Sequence, residues 1–229
     1  MTPLQLYDLF RADIVDVATP YLWSDDEAWG YMDEAQKQFA RLTGGLSDAS
    51  SALTSIELAA GDVWVNIDPR ILKIRHIKKS TNDADVPIHN FEDMELTGRD
   101  NDYGIRRIFR LNDEEGPLQY LIAGMERDKL RCVPIPTVDE TLSLIVYRIP
   151  LTTLTVDTGA TAEFEIEEQH HRPLLFWMKK LAYDKQDAET FDRSKASEFE
   201  KKFLEYCSVA KHERELREHK YRAVVYGGL

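Results

Sequence analysis

The feature that most constrains the fold is the order of two periodic patterns along the 229 residues. Apolar residues recur at helical spacing near both ends of the chain and alternate at strand spacing between them. The sequence therefore predicts an α+β fold, with a helical bundle built from N- and C-terminal helical hairpins, an inserted antiparallel β domain and an extended C-terminal arm. The expected parts are residues 1–54 and 170–210 for the hairpins, 55–169 for the β domain and 211–229 for the arm.

Clear end signals mark the two N-terminal helices. Thr2-Pro3 is typical of an N-cap followed by proline at the first helical position, and the apolar spacing after it predicts a helix that ends near Val17. Ser24-Asp25-Asp26-Glu27 has the pattern of a capping box, and Gly44-Gly45 is a stop signal. We expect the two helices between these signals to form an antiparallel hairpin.

Strand-like alternation fills the middle of the chain, interrupted by a polar, loop-rich stretch at Ser80–Pro117. A turn is expected at Thr137–Glu140, before the longest predicted strand region, Thr141–Ile149. The predicted strand regions are Ile56–Leu58, Val63–Ile67, Leu72–Ile77, Leu118–Ala123, Lys129–Pro134 and Thr141–Ile149.

Helical spacing returns at Pro173, which suits a first helical position, and Asp192 can cap a further helix. These two helices are expected to form the second hairpin. The apolar stripe of the last helix is expected to be complete by Tyr206, and a solvated helix with pairs such as Glu213 and Arg217 follows it.

The formal net charge of −12 is distributed unevenly. Residues 1–60 carry a net charge of −7, residues 61–169 carry −8, and residues 170–229 carry +3. Affinity for nucleic-acid phosphates comes from Lys and Arg side chains that displace counterions, so an acidic chain is a poor general DNA binder. We expect any DNA that passes this protein to pass without specific binding.

No segment predicts chemistry, and we assign no catalytic, cofactor-binding or metal-binding residue. His170-His171 are adjacent, so their rings point apart, and packing at the start of a helix or solvation is favoured. The acidic stretch at residues 83–102 could supply oxygen ligands to a hard cation, but it lacks regular DxDxDG spacing, and a solvated loop is favoured. Cys132 and Cys207 lack CxxC spacing and are expected to be buried free thiols.

No apolar run approaches the roughly 18 residues that span a membrane, and Met1–Gln5 lacks the residue order of a signal peptide. No membrane partner is therefore expected. The chain is expected to be cytosolic when it is made.

Three groups of residues, in this order over nearly the whole chain, resemble a known family. They are Pro20–Glu27, then Val133–Pro136 with Leu142–Pro150, and then His170–Leu175 through Tyr183–Thr190. They look like the head-to-tail adaptor (connector) proteins of tailed bacteriophages, which include the tail tubular adaptor of short-tailed phages. The Ser80–Pro117 region matches least.

The resemblance implies a structural virion protein at the head–tail junction, present in the host cytoplasm during assembly. It implies a dodecameric homo-oligomeric ring under the portal protein, with viral double-stranded DNA passing through the lumen at genome ejection. The other face of the ring would receive a tail nozzle or tail-tube protein and possibly tail fibres. A tail-tube or stopper-type tail protein is an alternative, as is a metal-dependent module that uses the acidic loops.

The C-terminal arm, residues 211–229, is the predicted portal-docking site. Its apolar, aromatic end is suited to strand addition at a partner's sheet edge, and its arginines would supply the salt-sensitive part of the contact. The residues assigned to docking are Arg214, Arg217, Tyr221, Arg222, Val224, Val225 and Tyr226.

Overall fold

The computed structural model describes residues 1–92, 114–187 and 189–218. These residues confirm the predicted α+β class. They belong to two compact units, which we call the helical unit and the sheet unit. The helical unit comprises Met1–Gly45 and the described part of Pro150–Leu229, and the sheet unit is the described part of Leu46–Ile149.

The helical unit contains the four described α-helices, and the predicted end signals position them. Thr2 Oγ1 accepts a hydrogen bond from the Gln5 N–H at 3.2 Å, and Ser24 Oγ accepts one from the Glu27 N–H at 3.2 Å, as both capping boxes require. The helices are α1 (Pro3–Asp13), α2 (Asp25–Thr43), α3 (Leu174–Asp184) and α4 (Arg193–Glu218).

Helix α1 ends earlier than its apolar spacing predicts. Val15 has a φ of 58°, in the left-handed region that β-branched residues rarely adopt, so the chain leaves the helix there. This turn brings Asp16 to the buried Arg11 side chain, and Val17 is left 66% exposed. The prediction that the helix continues to Val17 was wrong because the ion pair, and not the apolar period, decides the path of the chain.

Packing in the helical unit centres on α3, which contacts α1, α2 and α4. Phe10, Met32, Leu174 and Phe203 are fully buried. At the other end of the chain, Ala210 of α4 is only 6% exposed, so the apolar stripe of this helix continues beyond its predicted end at Tyr206.

The segment that follows the sheet unit packs on α2 through polar contacts. The Leu154 N–H donates to Asp33 Oδ1 at 3.0 Å, and Gln36 Nε2 donates to the Thr152 carbonyl at 3.0 Å. These hydrogen bonds hold residues 150–154 against α2. They also pair backbone groups of this stretch that do not take part in a strand.

Ten short strands form the sheet unit in its described residues. The predicted strand regions each contain one, and β1, β5, β6 and β9 are additions. The strands are β1 (Leu46–Asp48), β2 (Ser55–Leu58), β3 (Trp64–Asn66), β4 (Ile71–Lys79), β5 (Ile88–Asn90), β6 (Glu115–Gly116), β7 (Tyr120–Ala123), β8 (Lys129–Val133), β9 (Ile135–Pro136) and β10 (Glu140–Arg148).

Strand β10 is the centre of the first sheet, where β4 pairs antiparallel along one edge and β1 and β2 share the other. The second sheet has the order β3-β8-β7-β5. Its β5–β7 pair is parallel, as is the separate β6–β9 pair, so the β unit is not purely antiparallel. Leu142, Leu144 and Val146 of β10 are buried in the core, as their alternation predicts.

Candidate docking surfaces

A buried ion pair between Arg11 and Asp16 holds the loop between α1 and α2, residues 14–24. Arg11 Nη1 lies 2.5 Å from Asp16 Oδ2, with both side chains almost completely buried, and it also donates to the Trp23 carbonyl at 2.7 Å. Asp16 in turn accepts the Leu22 N–H at 2.9 Å and the Trp23 N–H at 3.3 Å. These bonds fix both ends of the loop on the helical unit.

Trp23 anchors the same loop to α3. Its indole Nε1 donates to the Ala182 carbonyl at 2.9 Å, and its ring lies edge-on to Tyr183 with the centroids 6.1 Å apart. The loop is therefore attached on one side to α1 and on the other to α3.

The outer side of this loop carries apolar side chains that face solvent. Val15 is 80% exposed, and Val17, Tyr21 and Leu22 are also exposed. An apolar cluster on a rigid loop is typical of a protein interaction site. We call these four residues the apolar loop. Sequence reasoning missed it because the spacing of Val17 appeared to continue the buried face of α1.

The C-terminal residues assigned to portal docking fall partly within the structure. Arg214 Nη1 donates to the Thr43 carbonyl at 3.1 Å and also to the Gly45 carbonyl. Gly44, between these acceptors, has the left-handed φ of 91° that ends α2. The guanidinium therefore neutralises the negative end of the α2 dipole and binds carbonyls that the helix leaves unpaired.

Arg217 is placed differently, since its Nη1 lies 3.5 Å from Glu167 Oε2 and both side chains are more than half exposed. An ion pair in this setting contributes little to stability. The structure thus brings Arg214 against α2 and leaves Arg217 at the surface. The remaining assigned residues, Tyr221, Arg222, Val224, Val225 and Tyr226, lie outside the described residues.

The outer face of the first sheet carries positive side chains along β4. Lys73 pairs with Tyr147, His76 with Ile145 and Lys78 with Ser143, so these residues lie on the face opposite the core. Here Ile145 is exposed.

Arg75 completes this surface, with its guanidinium carbon 5.2 Å from the centroid of the Tyr147 ring. We call Lys73, Arg75, His76, Lys78 and Ile145 the basic sheet face. It is a positively charged surface in a protein whose net charge is −12.

The two adjacent histidines take structural positions, as predicted. His171 is buried, with Nδ1 2.8 Å from the Met1 carbonyl and Nε2 2.8 Å from the Ile166 carbonyl. His170 Nδ1 lies 2.9 Å from the Tyr206 hydroxyl, and burial lowers the pKa of His170. Both rings are thus engaged in packing where the chain turns into α3.

Two aspartates of the described part of the acidic stretch contact basic side chains of the sheet. Asp83 Oδ2 lies 3.0 Å from Lys78 Nζ, and Asp85 Oδ1 lies 3.0 Å from His76 Nε2. Within the residues that the structure describes, there is no group of three or more acidic, His or Cys side chains placed to hold a metal ion. Residues 93–102 lie outside that range.

Both cysteines are buried free thiols, as predicted. Burial raises the pKa of Cys132 and of Cys207 to about 12. Nucleophilic attack by cysteine requires the thiolate, which is scarce at neutral pH when the pKa is this high. In the described part of the chain, no helix has the length and apolar character needed to cross a lipid bilayer.

These surfaces define a class of protein. Exposed apolar and charged faces suit contacts with other proteins, as a structural adaptor requires. The sequence matches the family model of the SU10 adaptor protein over residues 1–223. The chain therefore belongs to this family of phage head-to-tail adaptors, as its resemblance predicted. No curated protein is similar enough to be matched with it.

Family membership establishes a structural adaptor role in a bacteriophage virion. It implies a portal protein and a tail component as partners, and a location at the head–tail junction.

Proposed function

We propose that the protein forms a homo-oligomeric ring of twelve copies under the portal, connects the capsid vertex to the tail and lines the DNA passage. The match to the adaptor family over residues 1–223 carries this proposal. The function requires no catalysis: the protein acts through shape, charge and contacts, and binds no cofactor.

The helices of residues 1–54 and 170–210 would form the body of each wedge in the ring, arranged as two hairpins of a bundle. The sheet unit, Leu46–Ile149, would form the inserted β domain. The acidic charge of residues 1–169 supports passage of DNA without binding, because like charges repel the phosphate backbone.

The arm, residues 211–229, is proposed to dock on the portal, with the opposite face of the ring receiving a tail nozzle or tail-tube protein, possibly with tail fibres. The contacts of Arg214 divide the arm into two parts. Residues 211–218 complete α4, where Arg214 binds the end of α2. The segment from Tyr221 to Tyr226 would then supply the aromatic and apolar anchors of the docking contact.

Two truncations separate docking from folding. A chain that ends after Glu218 keeps Arg214 and is expected to retain its helical circular dichroism while losing binding to the portal of the same virus. A chain that ends after Ala210 also loses the Arg214 contact and is expected to be less stable. Undiminished portal binding by the longer truncated chain would refute the docking role.

Electron microscopy of the protein mixed with that portal tests the ring itself. Twelve copies in a ring at the base of the portal are expected. A ring on the tail tube with no contact to the portal would instead favour the alternative, a tail-tube or stopper-type protein.

A further inference from the structure

We propose that the apolar loop of one copy docks on the basic sheet face of a second copy of this chain. The inference rests on the proposed ring and names the surfaces by which neighbouring copies meet.

The apolar loop is already ordered before it binds a second copy. Val15 and Val17 are 80% and 66% exposed, while the Arg11–Asp16 ion pair and the Trp23 indole hold the backbone beneath them. A loop that is already ordered loses little conformational entropy on binding, so more of its apolar contact is realised as affinity. The left-handed turn at Val15 also exposes a β-branched side chain where glycine would be the unstrained choice.

The charge around the apolar loop selects a basic partner. Asp13 and Asp25 bind Lys179 and Arg11 within the same copy. Asp8 on α1 and Asp26 at the start of α2 are exposed, and they supply the negative charge that this region offers to a partner. Residues 8–27 contain one basic residue, Arg11, and six acidic ones: Asp8, Asp13, Asp16, Asp25, Asp26 and Glu27.

The complementary charge occurs on the same chain, at the basic sheet face. Residues 70–79 contain no acidic residue and five basic ones: Arg70, Lys73, Arg75, Lys78 and Lys79. Two of the five lie outside this face, since Arg70 pairs with Asp68 and the buried Lys79 pairs with Glu140. Since Lys78 and His76 contact Asp83 and Asp85, it is Lys73 and Arg75 that offer positive charge to a partner.

Apolar surface is also present at the receiving face. Ile145 is exposed on this face, opposite His76 in the register of β4 and β10, and Leu72, next to Lys73 in the chain, is also exposed. The receiving face therefore offers exposed apolar side chains together with positive charge, and the region of the loop offers exposed apolar side chains together with negative charge.

The two surfaces are different, so the contact is heterologous. A contact of one surface with another surface on the next copy repeats in one direction and forms a ring if the rotation closes. This agrees with the proposed ring, which a self-complementary contact between two copies would not produce.

Isotope-mixed cross-linking tests the contact. Equal amounts of unlabelled and ¹⁵N-labelled full-length protein are treated with a carbodiimide, which joins carboxylates to amines, first alone at high concentration and then on the portal of the same virus. Mixed-isotope peptides that join Asp8 or Asp26 to Lys73 are expected. The absence of these peptides from both samples would overturn the proposal. Portal binding is measured separately, so a failure of the protein to bind the portal can be distinguished from a failure of this contact between copies.

A matched pair of variants tests the apolar part. Val17→Asp is expected to reduce the mixed-isotope product about tenfold. Val138→Asp, at a valine that is 56% exposed in the turn before β10, is expected to leave the product unchanged. Equal losses in the two variants, with circular dichroism intact, would contradict a specific role for the loop.

Charge reversal tests the identity of the partner. One variant carries Asp8→Lys with Asp26→Lys, and the other carries Lys73→Glu with Arg75→Glu. Each alone is expected to lose the cross-link, and a mixture of the two is expected to regain it, because each reversed surface then meets an oppositely charged one. Failure of the mixture to regain the product would show that these two surfaces do not meet.

Discussion

At the residue scale, Gly159 is the most closely packed of the described glycines, because it lies against the indole of Trp29. A Cβ built on Gly159 would lie 2.1 Å from Cζ3 of Trp29, far inside van der Waals contact. Trp29 is itself buried on α2 and stacks on Tyr7 with the ring centroids 5.2 Å apart, so it has little room to move.

Gly159→Ala is therefore expected to lower the free energy of unfolding by about 2 kcal/mol through overpacking. Gly30→Ala is the matched control, because its Cβ would meet open space on α2, and it is expected to raise stability by about 0.5 kcal/mol. Urea unfolding of both variants measures the difference. A neutral Gly159→Ala would mean that Trp29 moves aside.

The Arg11–Asp16 pair makes a second prediction at this scale. Asp16→Ala leaves two backbone N–H groups without their acceptor and removes the buried carboxylate that pairs with the Arg11 guanidinium, which keeps only the Trp23 carbonyl, Tyr7 and the half-exposed Asp25, and a loss of about 3 kcal/mol is expected. Asp13→Ala removes a more exposed pair with Lys179, and a loss below about 1 kcal/mol is expected. Equal losses in thermal unfolding would contradict the role of the buried pair.

At the scale of the element, the ends of α2 and β1 depend on single side chains. Arg214→Ala removes the donor to the Thr43 and Gly45 carbonyls, and a loss of about 1.5 kcal/mol is expected. Arg217→Ala is the matched control on the same helix, with an expected change within about 0.5 kcal/mol. Chemical denaturation followed by circular dichroism distinguishes them, and the reverse ranking would contradict the capping role.

Strand β1 ends at the buried Asp48, which is ion-paired with Arg148. Burial alone would raise the pKa of Asp48, but hydrogen bonds from Ser51, Arg148 and Ser50 outweigh it and hold this pKa well below its usual range. A carboxylate with a depressed folded-state pKa stabilises the fold above its unfolded pKa, and this stability is lost as the pH falls toward the folded value.

Asp48→Asn is thus expected to cost about 3 kcal/mol at neutral pH, with the difference from the natural chain shrinking below about pH 4. Urea unfolding at a series of pH values measures it. A difference that stays constant down to acid pH would show that the charge of Asp48 is not what stabilises β1.

Elements with local signals could be predicted from the sequence, and those with distant partners could not. The Thr2 N-cap with Pro3, the Ser24 capping box and the glycine stop of α2 each depend on a few adjacent residues, and the structure has each of them. Strands β5 and β6 are only three and two residues long, so alternation alone did not reveal them. Arg214 was assigned to an external partner because its carbonyl acceptors lie 171 and 169 residues away in sequence.

At the scale of the whole molecule, assembly should depend on a template. The purified protein is expected to be a monomer or weak oligomer that forms rings mainly on the portal, because a chain that closed rings freely would be consumed away from the capsid. Sedimentation velocity of the isolated protein measures this. A stable dodecamer without any partner would contradict the prediction.

If the C-terminal arm docks on the portal as proposed, the Arg214 contact has a mechanical consequence. A tensile load applied beyond α4 would pass through the guanidinium to the Thr43 and Gly45 carbonyls, and not along the helix alone. Gly45 is the last residue before the sheet unit begins at Leu46. Pulling on the end of the chain would therefore strain the point where the polypeptide leaves the helical unit.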